Sequence, residues 1–434
     1  MSRVIPIIPA PGMPGATVTA TGTGTATLTS TSAADGRVAG SSAQTHDKTH
    51  GLTLLSALPP LSVYIHVPWC VRKCPYCDFN SHEKPAVIPE KQYLDALQAD
   101  LEQALPSIWG RQVSTVFIGG GTPSLLSGQA IDRLLSLLRS HLNLWPDAEI
   151  TLEANPGTVE AGRFQAYAAS GINRISLGIQ SFNDTHLGAL GRIHSADQAR
   201  VAIDMAQRAV PRVNLDLMFA LPGQTLAQCV ADATEALRAG TEHLSMYQLT
   251  LEPNTVFAKY PPVLPDEDLA ADMEEVIEGL ASAAGLVRYE VSAFAKPAAQ
   301  ARHNVNYWEF GDYLGLGPGA HGKISFPDKI VRQARMRQPD SWMRSAIARD
   351  GSHVSEQRVL TGAELPFEFM LNALRLRRGV ACSLYTERTG QPMATITKAL
   401  QKATDRGLLS ADPTILQATA QGWRFLNELQ SLFL

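Results

Sequence analysis

The sequence predicts an α/β protein built on a parallel sheet, doubly wound or closed as a barrel, followed by a small C-terminal α+β domain. Three observations carry this. From residue 63 to about residue 330, short β-rich runs alternate with helical stretches. Their starts fall about 25 to 50 residues apart, the spacing of βα units, which pack as parallel strands with crossover helices. Beyond residue 330 the alternation stops and a helix, hairpin, helix pattern takes over.

The elements follow in order. Residues 1–58 precede the first aromatic residue, Tyr64, and residues 1–50 carry only Arg3, Asp35, Arg37, Asp47 and Lys48 as charges. With little to bury, this Thr/Ala/Gly/Ser-rich extension is expected to be disordered. The barrel or sheet domain is expected over 59–330. Its β-rich runs are Val63–Val67, Thr115–Ile118, Ile150–Glu153, Arg174–Gln180, Val213–Met218, Leu244–Leu251 and Val287–Phe294. Between them, Lys91–Leu105, Gln129–Leu142, Ser195–Ala209 and Leu226–Ala239 have helical periodicity. Residues 331–434 read as a separate, winged-helix-like domain. Helices are expected near Pro366–Arg377, over Ala394–Arg406 ending at Gly407, and over Trp423–Phe433, with a hairpin at Leu408–Ala418.

Composition narrows the function classes. With 45% hydrophobic and 18% charged residues, the 434-residue chain can bury a sizeable core. Thirty-seven basic against 41 acidic side chains leave a net charge of −4, which gives no electrostatic reason to expect nucleic acid. No apolar run is long enough to span a bilayer. Five cysteines make no disulfide scaffold, so a reducing, cytoplasmic setting is the default.

Cys70, Cys74 and Cys77 fall within eight residues, directly after the first β-run. Three thiolates so close converge only if the loop wraps around something. A zinc knuckle would need His66 or His82 as well, since zinc sites take four ligands. On a four-iron cluster, three cysteines leave one iron open. Cys229 and Cys382 stand alone and read as inert thiols.

The other polar candidates lie at strand ends, where chemistry sits in both architectures. Gly119-Gly120-Gly121-Thr122 closes the second run, allowing close approach and offering backbone amides. Glu153, Gln180 and Asp216 belong to three further runs, and Arg192 follows twelve residues after Gln180. Each could be a structural ion-pair partner. Together they suggest one site for a polar cofactor.

The CxxxCxxC spacing with Tyr76 before the third cysteine resembles radical S-adenosylmethionine (SAM) proteins. Tyr-Ile-His-Val-Pro-Trp-Cys, Gly-Gly-Gly-Thr-Pro-Ser, Glu-Ala-Asn-Pro-Gly, Gly-Ile-Gln-Ser-Phe, Leu-Gly-Arg-Ile-His and Gly-Pro-Gly-Ala-His-Gly are similar to the oxygen-independent coproporphyrinogen III oxidase-like branch. Within it, residues 60–434 resemble the HemW-type haem chaperones. The resemblance implies a partial TIM-type barrel with a [4Fe-4S] cluster on Cys70, Cys74 and Cys77. It also implies SAM on Tyr64, Tyr76, Gly120, Gly121, Thr122, Glu153, Gln180, Arg192 and Asp216, with Arg192 on its carboxylate. His303, Tyr307 and Trp308, in His-Asn-Val-Asn-Tyr-Trp, match a haem-linked motif; taken alone, His303 reads as a core histidine. His321 is a second ligand candidate, and the arginines at 332–337 and 375–378 are candidates for haem propionates. Phe79 stands where the decarboxylating oxidases carry a fourth cysteine, which disfavours that activity. Implied partners are haem, haem-accepting proteins such as respiratory ones, and an electron donor. Peripheral membrane contact and SAM cleavage stay open.

Overall fold

The computed structural model describes residues 55–158 and 162–434. Most of the extension expected to be disordered, residues 1–54, lies outside the described residues. Within them, twelve strands form one sheet. In chain order these are β1 Leu61–Val67, β2 Gln112–Gly120, β3 Asn143–Ala154, β4 Arg174–Gln180, β5 Arg212–Phe219, β6 His243–Gln248, β7 Val287–Arg288, β8 Ala293–Ala295, β9 Asp312–Leu316, β10 His321–Phe326, β11 Lys329–Arg335 and β12 Val354–Val359. Their spatial order is β12-β11-β10-β9-β1-β2-β3-β4-β5-β6-β8-β7, without closure. The run β9-β1-β2-β3-β4-β5-β6 is parallel throughout, and antiparallel strands flank it. This is an α/β architecture, an open partial barrel.

The main helices between strands are α1 Glu90–Ile108, α2 Gly128–His141, α3 Arg163–Ser170, α4 Ala196–Ala209, α5 Leu226–Arg238 and α6 Glu267–Ala283. Ser195 and Thr225 close capping boxes at the starts of α4 and α5, satisfying amides that a helix leaves orphaned. Each barrel strand is two-sided. In β1, Leu61, Val63, Ile65 and Val67 are buried in the main apolar core, while Ser62, Tyr64 and His66 alternate onto the other face. Thr115, Phe117, Thr151, Glu153, Arg174, Ser176, Asn214, Asp216, Ser245 and Tyr247 continue that polar inner face through register pairs. A strand buried on both sides would be apolar throughout. This one is built to face something.

Two sequence expectations change. Val287–Phe294 is two short antiparallel strands, because residues 289–292 turn back so that Phe294 pairs with Arg288. A domain boundary at 330/331 would cut β11, which pairs with β10 and β12 in the main sheet. A second apolar core still exists, gathering Trp308, Phe310, Ile330, Phe369, Tyr385 and Leu429 among others. Its helices include Leu365–Ala373 and Thr397–Asp405, the latter followed by Gly407 in a left-handed conformation. The expected hairpin carries a bridge between Leu409 and Ala418, and the last helix is split into Ala420–Arg424 and Leu426–Ser431. Among the described residues no helix is long and apolar enough to cross a membrane.

Candidate functional site

The cysteine loop leaves β1 at its carboxyl end, and tertiary contacts hold it at both ends. His66 bridges the Tyr64 hydroxyl (3.0 Å) and the backbone carbonyl of Asn80 (2.9 Å), so it supports the loop by hydrogen bonding. Asn80 Nδ2 donates to the carbonyls of Pro318 (2.9 Å) and Arg337 (2.8 Å). Gly319, at φ +79°, leaves room for this: a Cβ there would lie 2.3 Å from Asn80 Nδ2. The Gly-Pro-Gly-Ala-His-Gly motif is thus a platform beneath the loop. The buried Asp100 of α1 fixes the platform by accepting from Gly317 N (3.2 Å), Arg335 Nε (2.9 Å) and His353 Nε2 (3.1 Å).

All three cysteines are free and half-buried. Polar hydrogens surround them: Thr122 Oγ1 donates to Cys70 Sγ (3.4 Å), Ser81 Oγ lies 3.7 Å from Cys77 Sγ, and an Arg192 amino nitrogen lies 3.7 Å from Cys74 Sγ. Donors aimed at sulfur suit thiolates bound to metal. Burial pushes the Cys77 thiol up to about 11 and raises that of Cys70, so metal must displace protons to bind. Three half-buried thiols, each with a hydrogen-bond donor beside its sulfur, are a donor set that fits a cluster with one iron left open.

Beside the loop, the glycine run differs from expectation. Its amides are taken: Gly120 N donates to Glu153 Oε2 (3.1 Å), Gly121 N to the Val67 carbonyl (2.7 Å) and Thr122 N to the Trp69 carbonyl (2.8 Å). What the run offers a ligand is therefore carbonyl oxygen, the partner an ammonium requires. Gly120, at φ +110°, packs so closely that a Cβ would lie 2.5 Å from the His66 ring.

Glu153 is held up to about 8, first by burial and then by the Asp216 charge. Asp216 is likewise raised by burial; it accepts from Ser176 Oγ (2.7 Å) and Asn214 Nδ2 (2.8 Å). Arg192 donates to the Gly178 carbonyl (2.7 Å), and its Nε is buried without a partner, an orphan donor beside Cys74. Gln180 ends β4 at φ +68°, a left-handed conformation that is uncommon outside glycine. Tyr64 stacks on Phe117 (6.3 Å) and Tyr76 packs on Phe257 (6.4 Å). The proposed SAM residues therefore surround one mouth beside the thiols. Ser176, Asn214 and Tyr247, which hold or face Asp216, were missed. The signal was present as alternating polar residues along β4 and β5.

The haem-motif residues are placed otherwise. His303, on α7 Arg302–Trp308, is 1% exposed; its Nδ1 meets Thr115 Oγ1 (2.7 Å) and its Nε2 meets the Tyr307 hydroxyl (2.9 Å). Burial lowers it to about 3. Both nitrogens are engaged, so it is a satisfied inner-face histidine in this conformation, not an open ligand. Trp308 offers no exposed face, because it lies in the second core under the Arg375 guanidinium (4.5 Å). His321 is half-buried. The candidate propionate arginines are largely committed: Arg332 to Tyr313 and Glu368, Arg335 to Asp100, Arg377 to Glu278 and Arg378 to Glu309.

A three-thiol loop on the first strand of an open parallel barrel, beside a carbonyl-lined glycine turn, defines a radical SAM protein. Residues 64–236 match the Radical SAM superfamily and residues 360–425 the HemN C-terminal domain. The chain is 48% identical to "Heme chaperone HemW" of Escherichia coli, covering 87% of this chain and 99% of that one. It is 45% identical to that of Haemophilus influenzae over 87% and 98%. It is 36% identical to "Radical S-adenosyl methionine domain-containing protein 1, mitochondrial" of Bos taurus over 85% and 86%. The solved coproporphyrinogen III oxidase HemN of Escherichia coli superposes with a TM-score of 0.74 at 24% identity, covering 87% of this chain and 90% of that one, a likeness of fold. The chain belongs to the HemW family of radical SAM proteins.

Proposed function

We propose that this protein is a haem chaperone that binds a [4Fe-4S] cluster, SAM and haem, and passes haem to acceptor haemoproteins. The observation that carries the reading is the near full-length identity to HemW relatives, with Phe79 in place of a further thiol beside the cluster loop. Cys70, Cys74 and Cys77 would hold the cluster. The carbonyls of Gly120 and Gly121 would receive the methionyl ammonium of SAM, and Arg192 its carboxylate. Glu153 and Asp216 would take its hydroxyls, with Gln180, Thr122, Tyr64 and Tyr76 around it. When bound, this pair supplies one-electron chemistry at a sulfonium. The chain's own work is to orient SAM and to keep the thiols half-shielded from water. His303 can serve as a haem ligand only after Tyr307 releases Nε2.

The test is anaerobic purification with iron, sulfide and haem quantified, followed by incubation with an apo-haemoprotein. Haem bound and then transferred, with no protoporphyrinogen formed from coproporphyrinogen III, is the expected result. Protoporphyrinogen formation would overturn it in favour of the decarboxylating oxidase.

A further inference from the structure

Arg174 opens β4 on the inner face and is 3% exposed. Among the described residues its guanidinium makes no hydrogen bond and no ion pair, and it acts on the Glu153 and Asp216 carboxylates through space alone. Arginine is seldom buried so deeply unless it is paired, because a desolvated cation without a partner is costly. Five groups surround it electrostatically: Glu153, Asp216, His243, Tyr289 and His303. Their hydrogen bonds go elsewhere. Asp216 is held by Ser176 and Asn214, Glu153 by Gly120 N, and His303 by Thr115 and Tyr307. His243 lies between Asn214 Oδ1 (2.6 Å) and the Tyr289 hydroxyl (2.8 Å).

The register neighbour on β3 is Thr151, whose hydroxyl is buried without a partner. On the other side, Arg212 is already paired with Glu149 (2.8 Å). A fixed guanidinium fork next to a spare hydroxyl is a donor set for a carboxylate. Thr151 is in turn the register partner of Phe117, whose ring stacks on His303 at 5.1 Å, so an apolar wall adjoins the two donors.

We propose that Arg174 and Thr151 receive a carboxylate of a second ligand on the inner face, between the carboxylates Glu153 and Asp216 and the His303 helix. We take that ligand to be haem, through one propionate; this choice rests on the haem-chaperone reading. SAM's own carboxylate is assigned to Arg192, which leaves Arg174 for a different anion.

The experiment titrates the cluster-loaded full-length protein, without oxygen, with haem and with haem dimethyl ester. The wild type should bind the diacid about tenfold more tightly than the diester, the order expected of one charge-assisted pair. Arg174→Gln should lose that preference, and Arg174→Lys should recover part of it. Equal wild-type affinity for diacid and diester would overturn the site without any variant having to fold, and so would an undiminished preference for the diacid in Arg174→Gln. No saturable haem binding by the wild type would overturn the chaperone reading itself.

Discussion

The cysteine loop and the His303 helix both carry motifs that suggest metal ligation, yet the tertiary structure treats them oppositely. The loop leaves three thiols half-buried and free, with donors from Thr122 and Arg192 aimed at sulfur and an orphan Nε on Arg192. The helix seals its histidine, with both ring nitrogens hydrogen-bonded and Trp308 in a separate core. Unsatisfied groups mark where a ligand is awaited; satisfied ones mark where a change of state must come first.

The strongest way to break this contrast is to remove the thiols. Replacing Cys70, Cys74 and Cys77 with Ala should abolish cluster iron and absorbance in anaerobically prepared protein; an intact spectrum would show that the loop is not the cluster site. Next in size, Arg192→Met should lower SAM affinity about ten- to a hundredfold in anaerobic equilibrium dialysis, since a charge-assisted contact is worth about 1.5–3 kcal/mol. Unchanged affinity would return Arg192 to a structural role. Gly120→Ala forces a Cβ into the His66 ring and should cost about 2 kcal/mol of stability in denaturant titration.

A fourth measurement uses pH. Burial and Asp216 raise Glu153 to about 8 in the folded state, above its ordinary 4.5. The folded protein then binds the proton more tightly than the unfolded chain does. Cofactor-free protein should therefore lose stability as pH rises from about 4.5 to 8, and Glu153→Gln should flatten that slope. A slope unaltered by the substitution would place the titrating group elsewhere. The smallest effect tests the sealed side. Tyr307→Phe frees His303 Nε2 and should tighten haem binding a fewfold, read in the Soret titration; no change, together with an unaffected His303→Ala, would remove His303 from the ligand set.

The strand positions were legible because each barrel strand carries a strong apolar set facing the helices, as Leu61, Val63, Ile65 and Val67 do. Local spacing also exposed the cysteine triplet and the glycine run. Arg174 and Thr151 were not legible as a pair, since they are neighbours only through the β3–β4 register. Nor could sequence show that the amides of Gly120 and Gly121 are spent on Glu153 and Val67.

By itself, then, the sequence determined the alternation of elements, the cysteine triplet and the strand ends that bear polar groups, because periodicity and short-range spacing are local properties of a chain. Only the tertiary structure decided which of those groups already have partners. That depends on strands far apart in sequence meeting in one register: His303 is closed by Thr115 from across the sheet, and Arg174 faces the Glu153 and Asp216 carboxylates without a hydrogen bond or ion pair among the described residues.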